Sequence, residues 1–322
     1  MLCSMPLFDT YLIIDWSSRV SRKKGKDSIW LGWTRRVDES ARTLNLPLRA
    51  QACRKVLELL RQWTSEGDRI LVGFDFAYGY PRGFAEALGL TGLEPPWRRI
   101  WKELGARIQD AENNANNRLQ VAADLNAGMG VNVFWGCLSR QACETLSSAP
   151  ASFPVEVRPG LRLARFRHTE EVLRDRGKKS IQEVWKIFGQ GSVGGQSLTG
   201  IPVLEKIRFA SDLDSISRIW PFETGFTSEP TPSAGPFILH AEIWPGILDR
   251  LDTAGVRDQV QVRKLAALLR QWDESGRLVE LFDRPLNLTD EQVSAAVDEE
   301  SWTLGSQSME DSERAEGWKA RA

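Results

Sequence analysis

The sequence predicts an α/β fold: a mixed five-stranded sheet flanked by helices and interrupted by a large inserted α/β segment. Three observations carry this reading. The first ninety residues parse as strand, strand, strand, helix, strand. A fifth apolar run returns after residue 235. The stretch between them reads differently, rich in Trp, Arg and Gly.

Tyr11 to Ile14 is a continuous apolar strand, and SIWLGWT (28–34) is a second; the basic stretch RVSRKKGK (19–26) links them. ARTLNLPL (41–48) alternates well enough for a short third strand. Residues 50–67 carry Val56, Leu57, Leu59, Leu60 and Trp63 at helical spacing and end on a glycine. ILVGFDF (70–76) returns to strand. Two hairpins followed by a helical crossover lay the fourth strand parallel to the first. Asp15 and Asp75 then leave the carboxyl ends of neighbouring strands, the side of an open α/β sheet where ligands bind.

Residues 87–235 are expected to form the insertion. They contain helical fragments (PPWRRIWKEL), the polar run ENNANNR (112–118), a basic-faced hairpin over 154–167, a charged helix over 170–182 and the stretch EVWKIFGQGSVGGQSLTG (183–200). PFILHAEI (236–243) is the fifth strand and carries Glu242. Helices are expected over 258–272 and 290–302. The core is thus assigned to 1–86 and 236–305, with a polar tail at 306–322.

Composition narrows the function. An apolar fraction of 42% and a charged fraction of 26% are those of an ordinary globular protein. The net charge of −1 supplies no whole-molecule field toward nucleic acid or membrane, so any basic site must be local. Cys3, Cys53, Cys137 and Cys143 have no zinc or redox spacing, and there are only two histidines, His168 and His240. The start MLCSMPLFDT lacks a secretory pattern and no stretch is apolar enough to span a bilayer; a reducing cytoplasmic setting is expected.

Three expected strands therefore end on an acid: Asp15, Asp75 and Glu242. Clustered carboxylates repel unless a cation neutralises them. Mg²⁺ or Mn²⁺ suits such oxygen ligands and retains several waters, so two or three carboxylates suffice. A pair of such ions can activate water and stabilise a leaving oxygen in phosphodiester cleavage.

The same residues produce a resemblance. Strand-strand-strand-helix-strand with IIDWSS on the first strand and VGFDFAYGYP on the fourth is similar to the ribonuclease H-like fold. More narrowly, the chain resembles the DUF429 family, whose members are described as predicted nucleases of that fold. The matching pieces are the opening aspartate strand, the D-x-A/P-x-G-x-P turn at Asp75 to Pro81, GQGSVGGQSLTGIP (189–202) and AEIWPG (241–246). The resemblance implies metal-dependent hydrolysis of a phosphodiester, with Asp15 and Asp75 as metal ligands and Glu242 a nearby third. It also implies a last acid from a late helix. Asp290, Asp298, Glu299 and Glu300 are candidates there, with Asp290 and Glu299 the expected ligands, and Asp258 competes from the start of the preceding helix.

Other features leave alternatives. GQGSVGGQSLTG could offer backbone N–H groups to phosphate, with Ser192, Gln196 and Ser197 as polar contacts, or could be a flexible connection; it lacks the GK[ST] ending of a P-loop. Arg162, Arg165, Arg167, Lys178 and Lys179 could meet nucleic acid or form a solvated face, and Ser17 joins Lys179 among the expected substrate contacts. Rival readings are a nucleotide-binding phosphotransferase or ATPase of actin-like type, and a non-catalytic binding or scaffold protein.

Overall fold

The computed structural model describes residues 5–248 and 255–306. Apart from Ser306, the tail expected at 306–322 lies outside the described residues, as does Cys3.

The chain opens with strands β1 (Thr10–Asp15), β2 (Ile29–Arg35) and β3 (Arg42–Leu46), helix α1 (Arg49–Ser65) and strand β4 (Arg69–Phe74). Four helices and a small hairpin follow: α2 (Phe84–Ala87), α3 (Pro96–Arg107), α4 (Arg118–Met129), β5 (Val155–Arg158) with β6 (Leu161–Leu163), and α5 (His168–Asp175). Then come α6 (Val193–Arg208), β7 (Ser217–Trp220), β8 (Phe237–Glu242), α7 (Arg257–Glu274) and α8 (Asp290–Ala295), which runs into a wider π turn at Ala296–Glu300.

The main sheet is mixed and has six strands in the order β3-β2-β1-β4-β8-β7, one more than expected. β1, β2 and β3 pair antiparallel, whereas β4 runs parallel to β1, β8 to β4 and β7 to β8. The extra strand, β7, is a four-residue edge strand from within the segment assigned to the insertion. Its run SRIW is too short to announce itself by alternation.

Both faces of the sheet are covered. Leu12, Ile14, Val72, Phe74 and Ile238 pack into one apolar cluster with α1, α3 and α6. Tyr11, Ile13, Leu71, Leu239 and Ala241 pack into a second with Val262, Leu265 and Leu269 of α7. Burial on two sides explains why residues 11–14 of β1, 70–74 of β4 and 237–239 of β8 read as apolar runs without alternation. It also conceals, at the level of sequence, which side chain faces which side.

The largest departure from expectation is α6. A stretch with Gly194, Gly195, Gly200 and Pro202 reads as a loop on propensity, yet it is a 16-residue helix buried over most of its length. Its glycines are demanded by packing. A β-carbon on Gly194 would lie 2.0 Å from the Val184 carbonyl oxygen, and one on Gly200 would lie 2.3 Å from the Phe76 ring. The charged helix expected over 170–182 is shorter, stopping at Asp175 before Gly177, whose φ is 88°.

Candidate active site

Register decides the site. Ile14 stands beside Phe74 and Phe74 beside Glu242 across the parallel strands. The next position along β1 is Asp15 and along β4 is Asp75, and the Asp75 amide donates to the Ile14 carbonyl at 3.2 Å. Neighbouring strands lie about 4.8 Å apart, so the two aspartates are side-by-side neighbours. Both continue the odd-numbered face of Ile13 and Leu71, toward α7.

Glu242 belongs to the opposite set. It stands in register with Phe74 rather than Asp75, and shares the face of Ile238 on the far side of the sheet. Position 243 beside Asp75 is an isoleucine. The Glu242 carboxylate is 4% exposed and fully engaged. Arg167 donates to both of its oxygens at 2.7 Å, Tyr78 N–H at 2.9 Å and the Thr303 hydroxyl at 2.8 Å. Arg167 also binds Glu170 at 2.8 Å, and both carboxylates are buried. Removing one partner of such a network typically costs about 3–5 kcal/mol. Glu242 thus ties α5 to the sheet, although it and Asp75 border a common cleft. His240, on the same face, is fully buried with Nε2 2.9 Å from the Ser217 hydroxyl; burial pushes its pKa down to about 3.

The late acids are likewise occupied elsewhere. Glu299 accepts from the Gly83 and Ala85 amides at 2.8 and 2.6 Å. Glu300 accepts from the Arg82 amide and from His168. Asp290 is solvent-exposed and paired with Arg284, and Asp298 accepts from Ser294. None of the four borders the Asp15 cleft.

Asp258 does. It occupies the first turn of α7, and with Asp15, Trp16, Ser17, Asp27 and Gln196 it lines a cleft of about 730 Å³ over the strand ends. Its oxygen accepts the Asp27 amide at 2.7 Å. Burial and the charges of Asp75 and Asp258 hold the Asp15 carboxyl well above its usual range. Burial raises Asp75 to about 7 even though the Trp16 amide donates to it at 2.7 Å, and Asp258 adds to the rise. Burial raises Asp258 as well. Opposing these acids, Arg257 and Gln261 reach the cleft from α7.

The expected substrate contacts divide. Ser17 lines the cleft and donates to the Asp27 carbonyl at 3.1 Å. Ser192 and Gln196 line it from the start of α6, and the Gln196 amide donates to the Trp16 carbonyl at 2.6 Å. Ser197 is turned into the core, its hydroxyl without a hydrogen-bond partner among the described residues. Lys179 is exposed and borders neither cleft; its neighbour Lys178 borders the second. Of the tryptophans of the insertion, Trp97, Trp101, Trp185 and Trp220 are buried and Trp135 is half-buried. Trp97 stacks on Phe222 at 4.8 Å, and Trp101 Nε1 donates to the Tyr78 carbonyl at 2.7 Å.

Asp27, Arg257 and Gln261 carry no sequence signal of their own. The spacing of Asp258 and Gln261, three apart on a helix, places them on one face only once α7 is known to begin there. The buried Arg49 is equally unannounced: 1% exposed, it binds Asp110 through two nitrogens at 2.6 Å and fixes the chain leading out of β1.

Among the described residues no three His, Cys, Asp or Glu side chains gather closely enough to hold a metal ion. Asp15 and Asp75 form a pair, with Asp258 opposite as the next nearest negative charge along the cleft. Among the described residues, too, no helix is long and apolar enough to cross a membrane. In comparisons with known proteins, no family model, no curated protein and no solved structure matches the chain.

Proposed function

We propose that this chain is a ribonuclease H-like, metal-dependent phosphodiesterase whose centre is Asp15, Asp75 and Asp258. One observation carries the reading. Two aspartates stand side by side at the ends of parallel strands, Asp15 lining one cleft and Asp75 the cleft that adjoins it at Gln196, Arg257 and Gln261, where burial and like charge drive their pKa values up. A fold keeps such a pair at a cost unless something positive offsets it. Mg²⁺ or Mn²⁺ fits the donor chemistry, since these ions take hard oxygen ligands and keep most of their waters.

Asp15 and Asp75 would hold the ion, and Asp258, which does not gather with them closely enough to share it, would orient a water beside it. A bound ion supplies Lewis acidity and a water of lowered pKa. Arg257 and Gln261 face the same space and would meet the non-bridging oxygens of a phosphodiester. The rival nucleotide-loop reading draws no support from Gly194 and Gly195, which are packed against the backbone of Val184 and Ile187. The DUF429 resemblance points to the same centre for Asp15 and Asp75, with Asp258 in place of the acids of the last helix.

Thermal unfolding with and without Mn²⁺ tests this. The wild type should melt several degrees higher with the ion, and Asp15→Asn and Asp75→Asn should lose that shift together with hydrolysis of a small phosphodiester such as bis(4-nitrophenyl) phosphate. Equal shifts in all three proteins would sink the site.

A further inference from the structure

Positive charge is dense over 158–167 and over 19–26, and the fold treats these two stretches oppositely. Over 158–167 the arginines are neutralised internally: Arg158 by Glu86, Arg162 by Glu156, Arg165 by Glu183, and Arg167 by Glu170 and Glu242. Over 19–26, Arg19, Arg22, Lys23, Lys24 and Lys26 form no ion pair with any described residue. All but the half-buried Lys23 are exposed.

This loop is nonetheless held firmly through its main chain. The buried Arg49 guanidinium donates to the Ser17 and Arg19 carbonyls at 3.0 and 2.7 Å. Asn114 Nδ2 donates to the Ser21 carbonyl at 3.4 Å, and the Lys23 amide to the Pro47 carbonyl at 3.3 Å. Asn45 accepts the Gly25 amide at 2.8 Å, while Ser28 and Trp30 donate to the Gly25 carbonyl. Every one of these bonds uses backbone groups of the loop and leaves the cationic side chains outward. Lys26 lies close enough to Asp258 to offset its charge. The like charges of Arg19, Arg22, Lys23 and Lys24 repel, and fixing them together with no ion-pair partner among the described residues favours an anion outside.

Position identifies the anion. Arg19 and Lys26 line the cleft that holds Asp15 and Asp258, whereas Arg22, Lys23 and Lys24 lie beyond its lining. A free nucleotide would occupy the cleft and leave those three without a counter-charge. A longer phosphodiester would pass from the acids outward along the loop.

Building on the phosphodiesterase reading, we propose that the 19–26 loop guides a phosphate backbone and that the substrate is a nucleic-acid strand several nucleotides long. The loop's main-chain bonds are independent of its side chains, so an Arg22→Ser/Lys23→Ser/Lys24→Ser variant should fold.

The test is fluorescence anisotropy with labelled single-stranded RNA and DNA of about 20 nucleotides, in EDTA, across ~50 to ~200 mM salt. Wild type should bind at least one of them. The triple variant should bind at least about tenfold more weakly. Its log–log salt slope should be shallower by about 2, since each phosphate that the protein neutralises on a single strand adds about 0.7. Manganese-dependent hydrolysis of bis(4-nitrophenyl) phosphate should be equal in the two proteins. Binding by the triple variant within about twofold of wild type overturns the proposal, as does wild-type binding to phosphatidylserine vesicles but to neither oligonucleotide. If the triple variant loses oligonucleotide binding while neither protein hydrolyses the small diester, the guide stands and the phosphodiesterase reading fails.

Discussion

Asp75 is half-buried at its strand end, and this partial burial together with the charge of Asp258 holds its carboxyl at about 7 instead of 3.8. A folded-state value above the unfolded one means that the carboxyl favours folding below about pH 4 and that this contribution is lost as pH rises through 7. Asp15, raised for the same reasons plus the charge of Asp75, has the same sign. Metal-free protein should therefore pay for its acidic centre above neutrality. Asp75→Asn keeps an oxygen to accept the Trp16 amide and removes the charge. In EDTA at about pH 8 it should be more stable than wild type by on the order of 2–4 kcal/mol, and the gap should close toward pH 4. Urea unfolding at the two pH values measures this. A variant less stable than wild type at pH 8 would show that the carboxylate is satisfied by the protein alone, with no cation required.

At the level of elements, α6 joins the insertion to the sheet and carries Ser192 and Gln196 to the cleft. Exposed glycine in a helix interior normally costs roughly 0.5–1 kcal/mol relative to alanine. At Gly194 the sign should reverse, because the added carbon meets the Val184 and Lys186 carbonyl oxygens at 2.0 and 2.9 Å, backbone atoms that cannot rotate away. Gly194→Ala should destabilise by at least about 2 kcal/mol, whereas Gly128→Ala, where nothing lies within 4 Å, should be neutral or stabilising. Chemical denaturation of the two variants tests the contrast, and a stabilised Gly194→Ala would mean that α6 is not packed this tightly. The same helix marks the limit of what a sequence discloses. Local periodicity locates β1, β2, β3, α1, β4, β8 and α7 because each has a long, one-sided or wholly apolar pattern. The glycines of α6 answer to neighbours distant in sequence, Val184 apart, and read as a loop until those neighbours are in place. Asp15 and Asp75 are legible because a strand-helix-strand crossover aligns strand ends. Glu242 departs from expectation by a single residue of register, which a strand apolar on both faces cannot reveal.

At the scale of the whole molecule, residues 87–235 are joined to the rest by buried polar ties rather than by a hinge. Arg49 of α1 binds Asp110 and the Asn114 carbonyl, and Asn114 in turn accepts the Arg49 amide at the start of that helix. Arg167 links α5 to β8, and β7 adds its backbone to the sheet edge. One apolar cluster runs from Leu12 and Val72 through Trp101, Phe134 and Trp185 without a break. Opening the insertion alone would strand the Arg49 and Arg167 charges and bare that cluster, which costs more than a separable domain interface would. Native-state hydrogen exchange in increasing denaturant should therefore bring the amides of α3, α4 and β1 onto one unfolding isotherm. Peptides from α3 and α4 that exchange through openings several kcal/mol cheaper than those of β1 would contradict this, and would make the insertion a lid that moves over the strand ends. A single isotherm would instead mean that the cleft above Asp15 and Asp75 is preformed. On the proposed reading, a substrate strand would then enter along the basic loop and meet Asp15 and Asp75 already in position.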